Sequence, residues 1–333
     1  MKKYYLLPLF LLFLTISFSQ KKKNTNDGLK SSDLSGLKFR SVGPAFMSGR
    51  IADIAINPEN ENEWYVAVGS GGVWKTVNSG TTWKAITDDQ DFYSTGCITI
   101  DPHNSSKIWL GTGENVGGRH VGIGHGVFVS DNGGEDWKST GLKSSEHISK
   151  IIVSPKDPNI VFVASQGPLW SSGGERGLYR TDNGGKTWKN VLSVNEWTGV
   201  TDIAIDHNNP NILYAATWQR HRNVASYMGG GPGTSIYKST DHGITWTEIK
   251  NGLPSSNLGK IGLAISPFDS SILYAAVETD RRNGAVYKTT NSGGSWKKMS
   301  DTVSGATGPH YYQELVASPH VFDKIYLMDT KVQ

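Results

Sequence analysis

The chain has 333 residues and a formal net charge of +3, with 37% hydrophobic and 19% charged residues. This length allows a sizeable core, and 39 glycines with 11 tryptophans favour an all-β chain rich in turns over a helical one. The nearly balanced charge excludes the basic signature expected of a nucleic-acid or anionic-surface binder.

The N-terminus has the organisation of a signal peptide, predicted over residues 1–19. Lys2 and Lys3 precede an apolar run from Leu6 to Phe18, and small residues stand where signal peptidase cleaves, so we expect cleavage before Gln20. The run is short for a membrane span, and a retained N-terminal anchor is the alternative. Removing this segment leaves 31 basic and 30 acidic side chains. We therefore expect a secreted, periplasmic or cell-surface protein with no membrane span after cleavage.

Residues 20–36 are interpreted as a linker, and residues 37–333 as one folded region. The only cysteine, Cys97, lies in an apolar stretch, so no internal disulfide is possible. We interpret Cys97 as a small buried hydrophobe rather than a nucleophile.

The folded region contains a repeat that ends in tryptophans spaced 54, 51, 58 and 50 residues apart. In every copy a Ser or Thr stands seven residues before the tryptophan, an Asn or Asp five before and a Gly three before. The Asn or Asp and the tryptophan of the five copies are Asn78 and Trp83, Asn132 and Trp137, Asn183 and Trp188, Asp241 and Trp246, and Asn291 and Trp296.

A second unit alternates with this repeat and consists of two short apolar strands joined by a Pro-, Asn- or Asp-containing turn. Together the units predict four strands per period, named A to D, which in the third copy lie at about 147–153, 160–164, 177–181 and 187–192. Four short antiparallel strands per repeat are typical of a β-propeller blade. Five complete blades and the start of a sixth predict part of a larger propeller. In the alternative, Leu37–Pro44 closes the last blade.

The repeated stretch resembles the Asp-box, or bacterial neuraminidase repeat, of sialidases, sortilin-type receptors and xyloglucan-cleaving glycoside hydrolases. The resemblance covers about Leu37 to the C-terminus, and the sortilin-like and xyloglucanase-like propellers are the most similar in period. It implies the fold but not the function, because binding proteins and enzymes share the motif. We interpret the Asn or Asp as a turn-forming acceptor of backbone N–H groups and the tryptophan as packing between blades. A calcium or phosphate loop would require helices that the pattern does not predict.

In an up-and-down blade the A–B and C–D turns lie on one face, and the B–C loops and D–A connections lie on the other. We expect the site on this second face, which we call the loop face. The B–C loops range from four residues in the first blade to Thr217–Ser235 in the fourth, and variable loops on a regular scaffold commonly bind ligands. Arginine binds carboxylates bidentately, and aromatic rings stack on sugars. The ligand-binding candidates on this face are Arg50, Glu114, Arg119, His120, Trp218, Arg220, Arg222, Arg281 and Tyr311.

Hydrolysis of a glycoside usually requires two carboxyl groups that face one cleft. Acids are sparse on the loop face, and Glu114 and Asp280 are the catalytic candidates. The resemblance to xyloglucanase-like propellers implies an Asp at the end of the first blade's second strand, where this chain has Gly69. This difference argues against hydrolysis of that type. A sialidase-like site would combine Arg50, Arg119, Arg220 and Arg281 with Tyr311, but no motif fixes that arrangement.

Two hypotheses follow from these patterns. The first is an exported, sortilin-like propeller that binds an extracellular protein or polysaccharide through the loop face. The alternative is a secreted glycoside hydrolase, xyloglucanase-like or sialidase-like, that acts on extracellular glycans. We predict no cofactor, no nucleic-acid partner and no metal site, because His120, His125 and His221 lack the tight spacing with a carboxylate that metal ligands show.

Overall fold

The computed structural model describes residues 29–37, 50–280, 283–301, 313–328 and 332. The chain divides into two compact units, residues 1–48 and 49–333. In the first unit an exposed 3₁₀-helix spans Ser31–Leu34, inside the predicted linker. The predicted signal peptide and most of the segment proposed to close the last blade lie outside the described residues. The described part of the chain contains no helix with the length and hydrophobicity needed to cross a bilayer.

The described residues of the second unit form five four-stranded antiparallel sheets, each with its strands in chain order. The first three sheets contain β1 (Ile51–Ile56), β2 (Trp64–Val68), β3 (Gly72–Thr76) and β4 (Lys84–Ala85); β5 (Thr95–Asp101), β6 (Asn104–Thr112), β7 (Val127–Ser130) and β8 (Lys138–Gly141); and β9 (Ile148–Ser154), β10 (Asp157–Ser165), β11 (Gly177–Thr181) and β12 (Lys189–Leu192).

The fourth sheet contains a two-stranded hairpin in its long loop, and a two-stranded pair follows the fifth sheet. The remaining strands are β13 (Thr198–Ile205), β14 (Leu213–Gln219), β15 (His221–Arg222), β16 (Tyr227–Met228), β17 (Ile236–Ser239), β18 (Thr247–Glu248), β19 (Ile261–Ile265), β20 (Leu273–Asp280), β21 (Asn283–Thr289), β22 (Lys297–Ser300), β23 (Glu314–Ala317) and β24 (Ile325–Met328).

The sheets pack face to face, which explains why their inner strands are apolar on both sides. One core cluster joins Trp109 and Val127 of the second sheet to Ile148, Ile151 and Val161 of the third. The neighbouring cluster joins the third sheet to the fourth in the same way. Burial on both faces removes the polar alternation that a half-exposed strand would show.

Polar side chains link the first strands of successive sheets. Asp53 in β1 accepts the backbone N–H of Ile98 in β5 at 2.9 Å, and Asp202 in β13 accepts that of Leu263 in β19 at 2.7 Å. The hydroxyl of Thr99 in β5 donates to a backbone carbonyl of β9 at 2.8 Å. The first strands therefore lie side by side around a common axis, and the predicted β-propeller is confirmed.

The repeated turn between the third and fourth strands of each sheet forms a closed hydrogen-bond network. Thr181 donates its hydroxyl to Asn183 Oδ1 at 2.8 Å and accepts the N–H groups of Asn183 and Gly185 at 3.2 and 3.1 Å. The N–H of Thr187 then donates to Asn183 Oδ1 at 3.0 Å. The other four copies have the same pattern, with hydroxyl-to-Asx distances between 2.7 and 2.9 Å.

The position three residues before the tryptophan requires glycine. Its backbone φ is +86° at Gly185 and between +75° and +89° in the other copies.

The tryptophan that ends the repeat contacts the preceding sheet in several copies. Trp188 donates its indole N–H to the carbonyl of Thr140 at 2.9 Å and lies edge-on to Trp109. In the first sheet the corresponding ring, Trp83, lies edge-on to Trp64.

Candidate functional site

A segment of the second sheet's long loop lies buried at the loop face. We call Glu114–Gly118 the inserted loop. All five of its residues are buried, although it has no regular secondary structure. A buried irregular backbone needs partners for its carbonyl groups, and here cationic side chains of other sheets supply them.

Donors from the fourth and fifth sheets hold the inserted loop. Lys260 Nζ donates to the carbonyl of Asn115 at 3.0 Å and to its side-chain oxygen at 3.2 Å. Arg220 donates to the carbonyl of Val116 at 2.8 Å, and Arg222 Nε donates to that of Gly117 at 3.0 Å. Because these donors come from separate sheets, the loop spans the space between them. Charge-assisted hydrogen bonds of this kind are stronger than neutral ones.

Several of the predicted ligand-binding residues therefore have internal partners. Arg220 is fully buried and also donates to the carbonyl of Gly167 at 3.1 Å. Burial lowers the pKa of Arg220 to about 9. Trp218 is 2% exposed, donates its indole N–H to the carbonyl of Gly229, and lies beneath the guanidinium of Arg220 at 5.2 Å. These two side chains support the loops and have almost no surface available to a ligand.

Glu114 lies in a bidentate ion pair at the base of the inserted loop. Arg50 donates from Nε to one carboxylate oxygen and from a terminal nitrogen to the other at 2.6 Å, and a second terminal nitrogen contacts His120 Nε2 at 2.7 Å. The Glu114 side chain has no solvent exposure, whereas that of Arg50 is 37% exposed. A Cβ at Gly69 would lie 2.8 Å from Glu114 Oε1, so the buried carboxylate occupies the space that a side chain at position 69 would need.

The remaining predicted residues differ in position. Arg119 and His120 follow the inserted loop directly and are exposed. Asp280 ends β20, but its side chain is outside the described part of the structure, as are Arg281 and Tyr311. Among the described residues, no group of three or more His, Cys, Asp or Glu side chains is placed to hold a metal ion.

The structure identifies a carboxyl group that the sequence did not single out. Glu146 lies between β8 and β9 on the loop face, half-buried, with a φ of +57° that is strained for a residue other than glycine. Burial raises the pKa of Glu146 above its ordinary value, although Arg176 and Arg220 oppose the shift. No motif marks this residue, because its environment is assembled from loops distant in sequence.

A second set of charged groups lines the propeller axis, contributed by the first strands of four sheets. Lys150 Nζ lies 3.9 Å from Asp202 Oδ1. Burial disfavours the charge of Lys150, but the carboxylates of Asp202, Glu314 and Asp53 together raise its pKa above the ordinary value. Burial also raises the pKa of Glu314 to about 7. These residues are far apart in sequence, so only the ring topology brings them together.

A shallow groove of about 370 Å³ lies on the loop face beside the first sheet. It is lined by Asp88, Gln90, Asp91 and Tyr93, and the ring of Tyr93 is 62% exposed. Exposed carboxylates and an aromatic ring form a surface suited to hydroxyl-rich ligands.

Comparisons with known proteins agree with this fold. No protein-family model matches the chain. It is 28% identical over 258 residues to a xyloglucanase of Hypocrea jecorina, a match that covers 66% of this chain and 28% of that protein. It is 24% identical over 301 residues to a xyloglucanase of Paenibacillus, covering 82% of this chain and 28% of the relative. The chain thus spans less than a third of these curated relatives.

Solved structures give the same class of fold. An ancestral GH74 enzyme superposes with a TM-score of 0.61 at 22% identity, covering 84% of this chain and 35% of that one. The GH74 enzyme of Niastella koreensis superposes with a TM-score of 0.64 at 17% identity, covering 84% and 44%. YCF48 bound to D1 peptide superposes with a TM-score of 0.53 at 15% identity, covering 88% and 79%. The chain is therefore a β-propeller whose fold is similar to that of glycoside hydrolases, and its curated relatives named above are xyloglucanases.

Proposed function

We propose that this protein is an exported glycoside hydrolase whose loop face binds a polysaccharide. The observation that supports this proposal most is the similarity to two xyloglucanases, over 66% and 82% of the chain. This similarity favours the hydrolase hypothesis over a sortilin-like receptor for protein ligands. The repeated turns are then Asp-box turns with a structural role on the opposite face.

Glu146 is the proposed proton donor. A general acid at a glycosidic oxygen must hold its proton at the working pH, which requires a raised pKa and contact with the ligand. Glu146 has a pKa raised by burial and remains half-exposed on the loop face. Glu114 has neither solvent exposure nor a free oxygen, since both carboxylate oxygens accept bonds from Arg50.

A second candidate function is polysaccharide binding without hydrolysis. The arrangement at Gly69 favours it, because the Glu114 carboxylate occupies the place where the resemblance to xyloglucanases implies a functional Asp. In this case the groove beside Tyr93 and the exposed ring of Trp170 would contact sugars.

Release of reducing sugar from a panel of β-glucans that includes xyloglucan tests the first function. The comparison uses the full chain, Glu146→Gln, and Glu135→Gln as a charge-matched control in an exposed turn on the opposite face. We expect Glu146→Gln to lose activity by about 10²-fold or more, as removal of a general acid does, and Glu135→Gln to retain it. Wild-type activity should fall as pH rises through a pKa above the ordinary 4.5 of a glutamate.

Each result of this assay distinguishes the candidates. Full activity in Glu146→Gln would remove this residue from the mechanism. Binding of the same polysaccharides without any turnover would support the second candidate and contradict hydrolysis. Absence of both binding and turnover on the whole panel would contradict both functions.

A further inference from the structure

The hairpin β15–β16 positions Arg222 beside the inserted loop. Arg222 pairs in register with Tyr227, and its guanidinium lies 4.4 Å from the centre of the Tyr227 ring. Its backbone N–H donates to the carbonyl of Leu169 at 2.9 Å, and its Nε donates to Gly117. The residue is 5% exposed, so its orientation is fixed by protein on most sides.

The terminal nitrogens of Arg222 have no hydrogen-bond partner among the described residues, yet they are not sealed from solvent. Arg119 follows Gly117 by two residues and is exposed, and no described side chain forms an ion pair with it. The carbonyl of Gly117, two residues before Arg119, accepts the Nε of Arg222, so both residues belong to the same part of the loop face. Burial lowers the pKa of Arg222, and the charge of Arg119 lowers it further. Two neighbouring guanidinium groups without an acidic partner attract an anion.

Two buried polar atoms, one in the same hairpin and one just before it, also lack partners. The hydroxyl of Tyr227 and the Nε of Arg220 are shut off from solvent and form no hydrogen bond within the described structure. The nearby carboxylate of Glu278 accepts the backbone N–H of Lys260 at 3.3 Å. Because these atoms are shut off from solvent, a ligand at this face would contact Arg119 and Arg222 and not them.

We propose that Arg119 and Arg222 form an anion-binding subsite that selects polysaccharides bearing carboxylate groups, such as uronic acid residues. This inference rests on the proposed function, since it assigns a chemical class to the polysaccharide. A carboxylate can accept two parallel hydrogen bonds from a guanidinium, and the preset orientation of Arg222 lowers the entropic cost of forming them. A neutral glucan has no group that could balance the two positive charges.

Isothermal titration with homogalacturonan and with its fully methyl-esterified form tests the inference, because the two share one sugar backbone and the ester lacks the negative charges. Neutral xyloglucan and polyglutamate are the further ligands. The variants are Arg119→Gln and Arg222→Lys, and the control is Lys186→Gln, which removes an exposed charge on the opposite face. Thermal unfolding of each variant checks that Arg222→Lys still folds; Arg119 is exposed and tests the same site without that risk.

We expect the unesterified polymer to bind more tightly than the ester. Arg119→Gln should weaken that binding about tenfold, or about 1.4 kcal/mol, without changing the affinity for xyloglucan. Equal binding of both polymers, or an equal loss in Lys186→Gln, would overturn the subsite while leaving the proposed function intact. Binding of polyglutamate alone, or of no polysaccharide, would overturn the proposed function and the subsite with it.

Discussion

Replacing Thr181 with valine removes one hydroxyl from the repeated turn while preserving the shape of the side chain. Thr181 is 1% exposed and accepts the N–H groups of Asn183 and Gly185. The Gly185 N–H is buried, so losing its acceptor should cost about 1–3 kcal/mol, and the partly exposed Asn183 N–H should add roughly 0.5–1 kcal/mol. We therefore expect Thr181→Val to lower the free energy of unfolding by about 1.5–4 kcal/mol.

Thr187→Val is the matched control, because it makes the same chemical change in the same turn at an exposed hydroxyl. That hydroxyl accepts only the side-chain amide of Asn183, at 2.8 Å, and water can replace it, so the expected loss is below about 1 kcal/mol. Urea denaturation followed by tryptophan fluorescence measures both, provided that the m-values agree. Equal losses in the two variants, or a loss below about 1 kcal/mol in Thr181→Val, would show that the turn is not held by its buried hydroxyl.

Two further predictions concern the axis and the turn glycines. Burial raises the pKa of Glu314 to about 7, so the folded state binds more protons than the unfolded state between pH 4.5 and 7. Stability should therefore fall as the pH rises across that range, and Glu314→Gln should make the free energy of unfolding less dependent on pH there, measured by urea denaturation at several pH values. Gly243→Ala should destabilise the protein far more than Gly173→Ala, measured by thermal unfolding. Both glycines have a φ near +70°. A Cβ at position 243 would lie 2.4 Å from Phe162, whereas a Cβ at position 173 would have no atom within 4 Å. Equal losses would assign the cost to backbone strain alone.

The periodic part of the fold could be predicted because each repeat contains its own local signals. The predicted third strand of the third copy, residues 177–181, is observed with the same bounds. The fourth strand begins at Lys189 and not near 187, because the N–H of Thr187 is bonded to Asn183 and cannot enter the ladder. The second strand begins at Asp157 and not at 160, since its polar start is not part of the apolar pattern.

The arrangement of the loop face could not be predicted, because it depends on contacts between residues more than a hundred positions apart. Arg220 and Arg222 lie in and just before the short hairpin of a polar loop that has the composition of an exposed surface. Their partners are carbonyls of Val116 and Gly117, and a carbonyl has no side-chain signature in the sequence. Glu146 was missed for a related reason, since its environment consists of charges from other loops.

The cationic residues of the loop face fall into two groups. In one group the side-chain donors bind backbone carbonyls, and in the other they do not. Arg176 donates to the carbonyls of Gly173, Gln166, Pro168 and Ser171, and burial lowers its pKa to about 10. Its donors are used to hold its own loop, and substitution should therefore affect stability before ligand affinity. Arg119 has no such partner among the described residues, and its charge is available to a ligand. Charge alone on a variable loop thus does not indicate binding, because donors that already hold backbone carbonyls are not available to a ligand.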